Sequence, residues 1–184
     1  PTQLQLQKEM EQQIKQQEAA ELLQRRLAGK LPTINLVGTE FTVDWRLREL
    51  RENAAPWNKI SFTNPAMSES GTRYVCLYNT QKHTLYQVSN NIKSLPKNVV
   101  MLEIPYELKL DPVAVARERN IDVAEFVKNH PIKTELTAVV KPLSETWVAE
   151  LIQENLKNDQ VIKKGRGHGE DLDQGYDRGP SLGR

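Results

Sequence analysis

The chain has 184 residues but only one cysteine, Cys76, and three histidines, His83, His130 and His168. One thiol cannot close an internal disulfide. Cys76 alternates with Tyr74 and Tyr78 in a strand-like run, so it reads as a half-buried packing residue rather than a nucleophile, which would need a polar and exposed setting. No histidine is spaced from another histidine or from the cysteine as a zinc site requires, so no metal is expected. No G-x-x-x-x-G-K-[ST] loop occurs, nor a G-x-G-x-x-G turn between a strand and a helix, nor a G-x-S-x-G elbow. No catalytic residue and no cofactor is assigned on this basis. No apolar run reaches membrane-spanning length and no signal-peptide core is present, so the expectation is a cytoplasmic chain with no membrane partner. Net charge is only +1 with both signs interspersed, which gives no global pull toward nucleic acid or anionic lipid.

Glycine is scarce where a folded body is expected. Six of the nine glycines lie from Gly165 onward, leaving only Gly29, Gly38 and Gly71 before them. Three segments follow: residues 1–29 as a Gln-rich helix, 30–157 as a globular domain, and 158–184 as a disordered Gly-rich tail.

The most legible stretch is Val99–Pro112, VVMLEIPYELKLDP. Its even positions from Val100 to Leu110 are apolar, as in a strand with one buried face. Asp111-Pro112 then reads as a helix cap followed by proline at the first helical position. Pro105 cannot donate to a sheet ladder, so the strand should bend or bulge there or lie at an edge. Residues 33–45 predict a hairpin turning at Gly38-Thr39 in a type II′ turn. Residues 46–53 predict a short helix with Leu47 and Leu50 inward, and 54–72 an Ω-type connector. Residues 73–78 and 83–88 predict a second hairpin, 112–119 and 122–129 two short helices, 133–140 a last strand, and 142–157 a last helix. The sum is an α+β fold: an antiparallel sheet of about five strands with helices on one face, an N-terminal helix and a disordered C-terminal tail.

Three functional readings arise. In the favoured one the chain is a non-enzymatic protein-interaction or accessory module. Leu6, Met10 and Ile14 stack at i+4 spacing on the N-terminal helix and form its docking surface for another protein. A heptad step from Met10 or Ile14 lands on Gln17 or Glu21, which argues against a self-associating coiled coil. In the alternative, the chain associates with nucleic acid through Lys163, Lys164 and Arg166 and the 112–129 helix pair. The run VAVARERNIDVAEFV resembles a helix-turn-helix, but its second helix offers Asp122 and Glu125 against Lys128 alone, so two helices covering a sheet explain it better. The third reading is an enzyme or small-ligand binder with its site in the 54–72 loop, at Trp57 and Asn58. Glu103 and Glu107 are the best-spaced carboxylates. Along one extended strand they would stand about 13 Å apart, too far for a shared acid–base cleft.

Overall fold

In a computed structural model the described residues are 1–176, with side chains described to residue 165. The chain divides into two units. The first comprises Pro1–Tyr86 and Asn98–Val140; the second comprises Gln87–Lys97 and everything from Lys141. The fold is α+β with mostly antiparallel sheets, but the strands are shared between two five-stranded sheets rather than gathered in one.

The first sheet contains β1 (Thr33–Leu36), β2 (Thr39–Asp44), β3 (Glu49–Glu52), β4 (Lys59–Ser61) and β9 (Leu136–Thr137). Its order is β4-β3-β2-β1-β9, antiparallel throughout except for the parallel β1–β9 pair. The β1–β2 turn differs from expectation. Leu36 pairs with Thr39, and the loop is Val37-Gly38 with φ of 50° and 87°. Both loop residues are left-handed, which defines a type I′ turn, not II′. The Asn35 side chain steadies it by accepting from the Gly38 amide at 2.8 Å.

Residues 46–53 do not form the expected helix. The chain turns through Arg48, at φ 54°, and enters β3. Leu50 is fully buried while Leu47 is half exposed. A two-residue period is at work: Leu50 and Glu52 face inward, and Glu49 and Arg51 less so. Residues 54–72 are not one open connector either, because β4 and the two-residue β5 (Ala66–Met67) lie within them, with Ile60 and Phe62 buried.

The second sheet is built on β6 (Arg73–Asn79) and β8 (Val99–Pro105), paired along their whole length from Arg73↔Pro105 to Asn79↔Val99. β5 and β7 (Thr84–Leu85) pair with β6, and β10 (Val139–Pro142) lies on the other side of β8. The strand read over Val99–Pro112 stops at Pro105, opposite Arg73, and the Tyr106 amide makes a last bond across to the Thr72 carbonyl at 3.1 Å before the chain leaves the sheet. Residues Glu107–Leu110 form a single helical turn, α2. Apolar residues at 106, 108 and 110 continue the strand's period-two pattern, so alternation alone could not place this boundary. The strand read over 133–140 is likewise divided: β9 joins the first sheet and β10 the second.

The two sheets share one core. Ile34, Leu36, Phe41, Val43 and Leu50 from one meet Tyr78, Leu102 and Ile104 from the other. Phe41 meets Tyr78 edge-on with ring centroids 6.4 Å apart, and Trp45 stacks on Tyr74 at 5.9 Å. Helices α3 (Pro112–Glu118) and α4 (Val123–Asn129) add Ala114, Val115, Ala116 and Phe126. Each begins on an aspartate cap: Asp111 accepts from the Ala114 amide and Asp122 from the Glu125 amide.

In the second unit a 3₁₀ turn (Leu143–Glu145) leads through Thr146 into α5 (Trp147–Tyr176), whose Val148 and Ile152 are buried. Asn155 donates to the carbonyls of Asn90 and Ile92, at 2.9 and 2.7 Å, and Lys93 pairs with Asp159 at 2.6 Å. These bonds fasten the 87–97 segment to the helix. α5 continues past Asn158, where the sequence periodicity fades; residues 177–184 of the expected tail lie outside the described residues.

Candidate functional site

Helix α1 spans Gln3–Leu27. Its residues are almost all strong helix formers. Thr2 and Gln5 close a capping box at its start: the Thr2 hydroxyl accepts from the Gln5 amide, and the Gln5 side chain accepts from the Thr2 amide. At the other end Gly29 (φ 104°) donates to the Arg26 carbonyl and Lys30 to the Arg25 carbonyl, which is the double bond of a Schellman stop.

The root of the helix is fixed by a buried ion pair. Arg26 donates from Nε (3.0 and 3.2 Å) and from Nη2 (2.7 Å) to the carboxylate of Asp111. The same carboxylate caps α3. One aspartate therefore sets both the start of α3 and the seat of α1. Leu22 and Leu23 are half-buried beside Arg26, whereas residues 1–21 are exposed on every side.

Leu6, Met10 and Ile14 are 48 %, 62 % and 53 % exposed. A helix turns about 100° per residue, so Met10 points about 160° away from Arg26, which marks the docked side. The stripe thus faces away from the unit that carries it. Gln3, Gln7, Gln13 and Gln17 flank it, and Glu9 and Glu11 lie at its margins. Lys8 and Lys15 fall on the far side.

Two hollows adjoin the root of α1. The larger, about 500 Å³, is walled by Leu31, Trp45 and Ala114 and reached by Arg26, Arg46 and Arg117. Asp44 and Glu118 also line it, but both are engaged by arginines outside it. Arg51 donates to Asp44 at 2.8 Å, and Arg48 grips Glu118 through two bonds of 2.6 and 3.1 Å. Burial by itself would raise the Asp44 pKa. The Arg51 hydrogen bond, the Leu47 amide and the charges of Arg51 and Arg46 outweigh it and hold the carboxyl below its usual range. Arg48 lies over the Trp45 ring at 4.3 Å and also donates to the Trp45 carbonyl, so one face of the indole is covered. The smaller hollow, about 170 Å³, lies between Arg25, Lys30, Leu31 and residues 132–135.

A third cluster ties the two sheets. His83 has φ 58°, and its Nδ1 lies 2.5 Å from Glu52 Oε1 and its Nε2 3.3 Å from Thr39 Oγ1. The fully buried Tyr78 hydroxyl has no partner in strict hydrogen-bonding geometry among the described residues; burial, then the Glu52 charge, pushes its pKa up to about 12, although the Thr39 hydroxyl is near enough to draw it down in part. Carboxylate, imidazole and hydroxyl in this order can pass a proton. Neither hollow is lined by these groups, so here they form a polar seam between sheets.

The remaining sequence candidates are dispersed. Trp57 is 81 % exposed on its loop, and Asn58 Nδ2 donates to the His83 carbonyl at 2.7 Å, pinning that loop to the β6–β7 hairpin. Neither residue lines the two hollows. Lys163 and Lys164 are exposed on α5; the side chain of Arg166 lies outside the described residues. Glu103 pairs with Arg73 at 3.0 Å, and Glu107 accepts from the Tyr74 hydroxyl from its place on α2, so the two carboxylates serve separate contacts. In the 112–129 pair, Glu125 spends its charge on Lys128 at 2.9 Å. Cys76 is half-buried, and desolvation pushes its thiol up to about 12, so it stays protonated at neutral pH. Among the described residues no group of three or more metal-ligating side chains occurs, and no helix is long and apolar enough to cross a membrane.

In the sequence neither Arg26 nor Arg117 stands out, and Arg46, Arg48 and Arg51, offset by Glu49 and Glu52, read as a salt-bridged solvated face rather than a phosphate-binding site. Arg26 is one of two basic residues in the last turn of α1, where charge complements the helix dipole, and that position alone gives no sign of a buried partner. The Asp111-Pro112 cap was the one available hint of its partner. Comparison with known proteins adds no relative: no family model, no curated protein and no solved structure matches this chain.

Proposed function

We propose that this chain is a non-enzymatic protein-interaction module, and that α1 is the part it presents to a partner. The observation that supports this is the orientation of α1. Its root is bonded to the unit through Arg26, while the Leu6/Met10/Ile14 stripe is exposed and directed away from that unit. A capped and fixed helix has already lost much of its conformational freedom, which lowers the entropy cost of docking.

The partner that fits is another protein with an apolar groove about three turns long, rimmed by basic or amide groups. Anchors at i, i+4 and i+8 suit a groove. Glutamines and Glu9/Glu11 border the stripe, with Lys8 and Lys15 turned away, and this favours a rim that donates hydrogen bonds. A cytoplasmic setting is part of the proposal, in keeping with one cysteine kept as a protonated thiol.

The test places a photo-crosslinking residue at Met10 or, separately, at Lys15 in the full chain, within its native extract. The expected result is a discrete adduct from position 10, absent from position 15 and abolished by L6D/I14D. Equal labelling from both positions, no adduct, or adducts only with a second copy of this chain would overturn the proposal.

A further inference from the structure

The hollow at the root of α1 has an unbalanced charge. Both acidic side chains that line it are already matched, Asp44 by Arg51 and Glu118 by Arg48, and Arg26 is paired with Asp111 behind it. Arg46 and Arg117 also line it, yet neither has an ion-pair partner among the described residues. Arg46 acts on Asp44 only as a more distant charge. Two guanidinium groups are therefore left over, carried by separate elements: Arg46 by the β2–β3 turn and Arg117 by α3. Arg26 adds a third. Its Nε and Nη2 are spent on Asp111, but the Nη1 donors are not used.

The walls between these cations are apolar. Trp45 and Ala114 are buried core residues whose remaining surface lines the hollow, and Leu31 closes one side. A volume of about 500 Å³ is that of a small-molecule site. Arginine is suited to the work, because its planar fork grips two oxygens of a carboxylate or phosphate at once. The acids at the rim do not repel an anion as they would if unpaired, since Arg48 and Arg51 hold them. The Arg48–Glu118 bonds and the Arg48 stack on Trp45 also keep the wall in place before any ligand arrives.

We propose that this hollow is a binding site for a small organic dianion, a phosphate monoester or dicarboxylate with a short apolar body. The anionic end lies between Arg46 and Arg117, and the apolar body rests against Trp45, Ala114 and Leu31. The site is independent of the Leu6/Met10/Ile14 stripe, which lies on the opposite side of α1.

The experiment uses the full chain carrying W57F and W147F, two exposed positions, so that Trp45 is the only indole reporting. Phenyl phosphate and phthalate are titrated separately, with inorganic phosphate as the probe lacking an apolar body. The expected result is saturable quenching or enhancement by phenyl phosphate or phthalate. The stronger of the two identifies the head group, and inorganic phosphate binds at least tenfold more weakly. R46A or R117A should each weaken binding about tenfold, and R46A/R117E should abolish it. R119A, next to the site but not lining it, should leave it unchanged. Circular dichroism confirms that the variants are folded, as expected for exposed side chains. No saturable response to either organic dianion at millimolar concentration would overturn the proposal, as would binding unchanged in R46A/R117E or lost equally in R119A.

Discussion

Replacing Asp111 with alanine removes two things at once, and the structure sets the size of each. Arg26 is 8 % exposed and Asp111 1 %, so the change strands a guanidinium with no carboxylate beside it. Breaking a buried pair by removing one partner costs about 3–5 kcal/mol. The α3 cap to the Ala114 amide is lost as well, worth about 1 kcal/mol. Arg26 also lines both hollows, so water reaches part of the guanidinium and the lower end of the first range applies. The expected loss is about 4 kcal/mol, a large share of the 5–15 kcal/mol typical of a domain. Asp111→Asn keeps a capping oxygen while removing the charge, and should lose about 3 kcal/mol. Arg26→Met strands the carboxylate instead and should cost a similar amount. R26M/D111N removes both charges and should recover much of what either single change loses. Urea unfolding of the unsubstituted chain and the four variants, followed by circular dichroism and tryptophan fluorescence, gives the coupling energy. The reasoning fails if D111A loses less than about 1 kcal/mol, or if the coupling between positions 26 and 111 is near zero.

Other consequences can be checked in the same assay. Val37 is a β-branched residue at φ 50° in a type I′ turn, so Val37→Asn should stabilise the fold by about 0.5–1 kcal/mol, and Gly38→Ala should destabilise it by about 1 kcal/mol. Tyr78→Phe deletes a buried hydroxyl that has no partner in strict hydrogen-bonding geometry among the described residues and should be neutral or stabilising by about 1 kcal/mol; a loss above that would show that Thr39 satisfies the hydroxyl. Burial raises the pKa of Tyr74, Cys76 and Tyr78 above their unfolded values, so the native state holds their protons longer. Their contribution is complete below about pH 9 and is lost as pH rises through the folded values, near 12 for Cys76 and Tyr78 and higher still for Tyr74; unfolding midpoints should fall across that window, and less steeply in a Cys76→Ala variant. Asp44 acts in the opposite direction, its contribution being lost as pH falls below about 4.

What the sequence could convey depended on whether a pattern had one reading. Gly29, Asp111 and Asp122 end or begin helices as capping chemistry demands, because a cap is decided within four residues. The alternation from Val100 to Leu110 had two readings after Pro105, and the helical turn at Glu107–Leu110 satisfied both. Residues 46–53 failed for a different reason. Good helix formers at Leu47, Arg48 and Glu49 were overridden by pairing of β3 with β2 and β4, a contact no local window contains. The exposed stripe on α1 was legible because i+4 spacing is local. The arginine-lined hollow was not, since Arg26, Arg46 and Arg117 are assembled from α1, a turn and α3.

The parallel pairing of β1 with β9 joins Ile34 to Leu136, about a hundred residues apart in the chain. Until Leu136 and Thr137 have been synthesised, the backbone edge of β1 has no strand to cover it, although β1–β4 can pair by local turns as soon as they emerge. The nascent sheet therefore carries an open edge while the roughly hundred residues between β1 and β9 are made, a template on which another chain could add a strand. Leu136 and Thr137, a two-residue strand, cover Ile34 and Asn35 of that edge, and the chain then leaves immediately for the other sheet. Their effect on the yield of folded protein should exceed their effect on its final stability: substituting proline at Thr137 should increase aggregation during synthesis more than it lowers the unfolding midpoint of the molecules that succeed in folding.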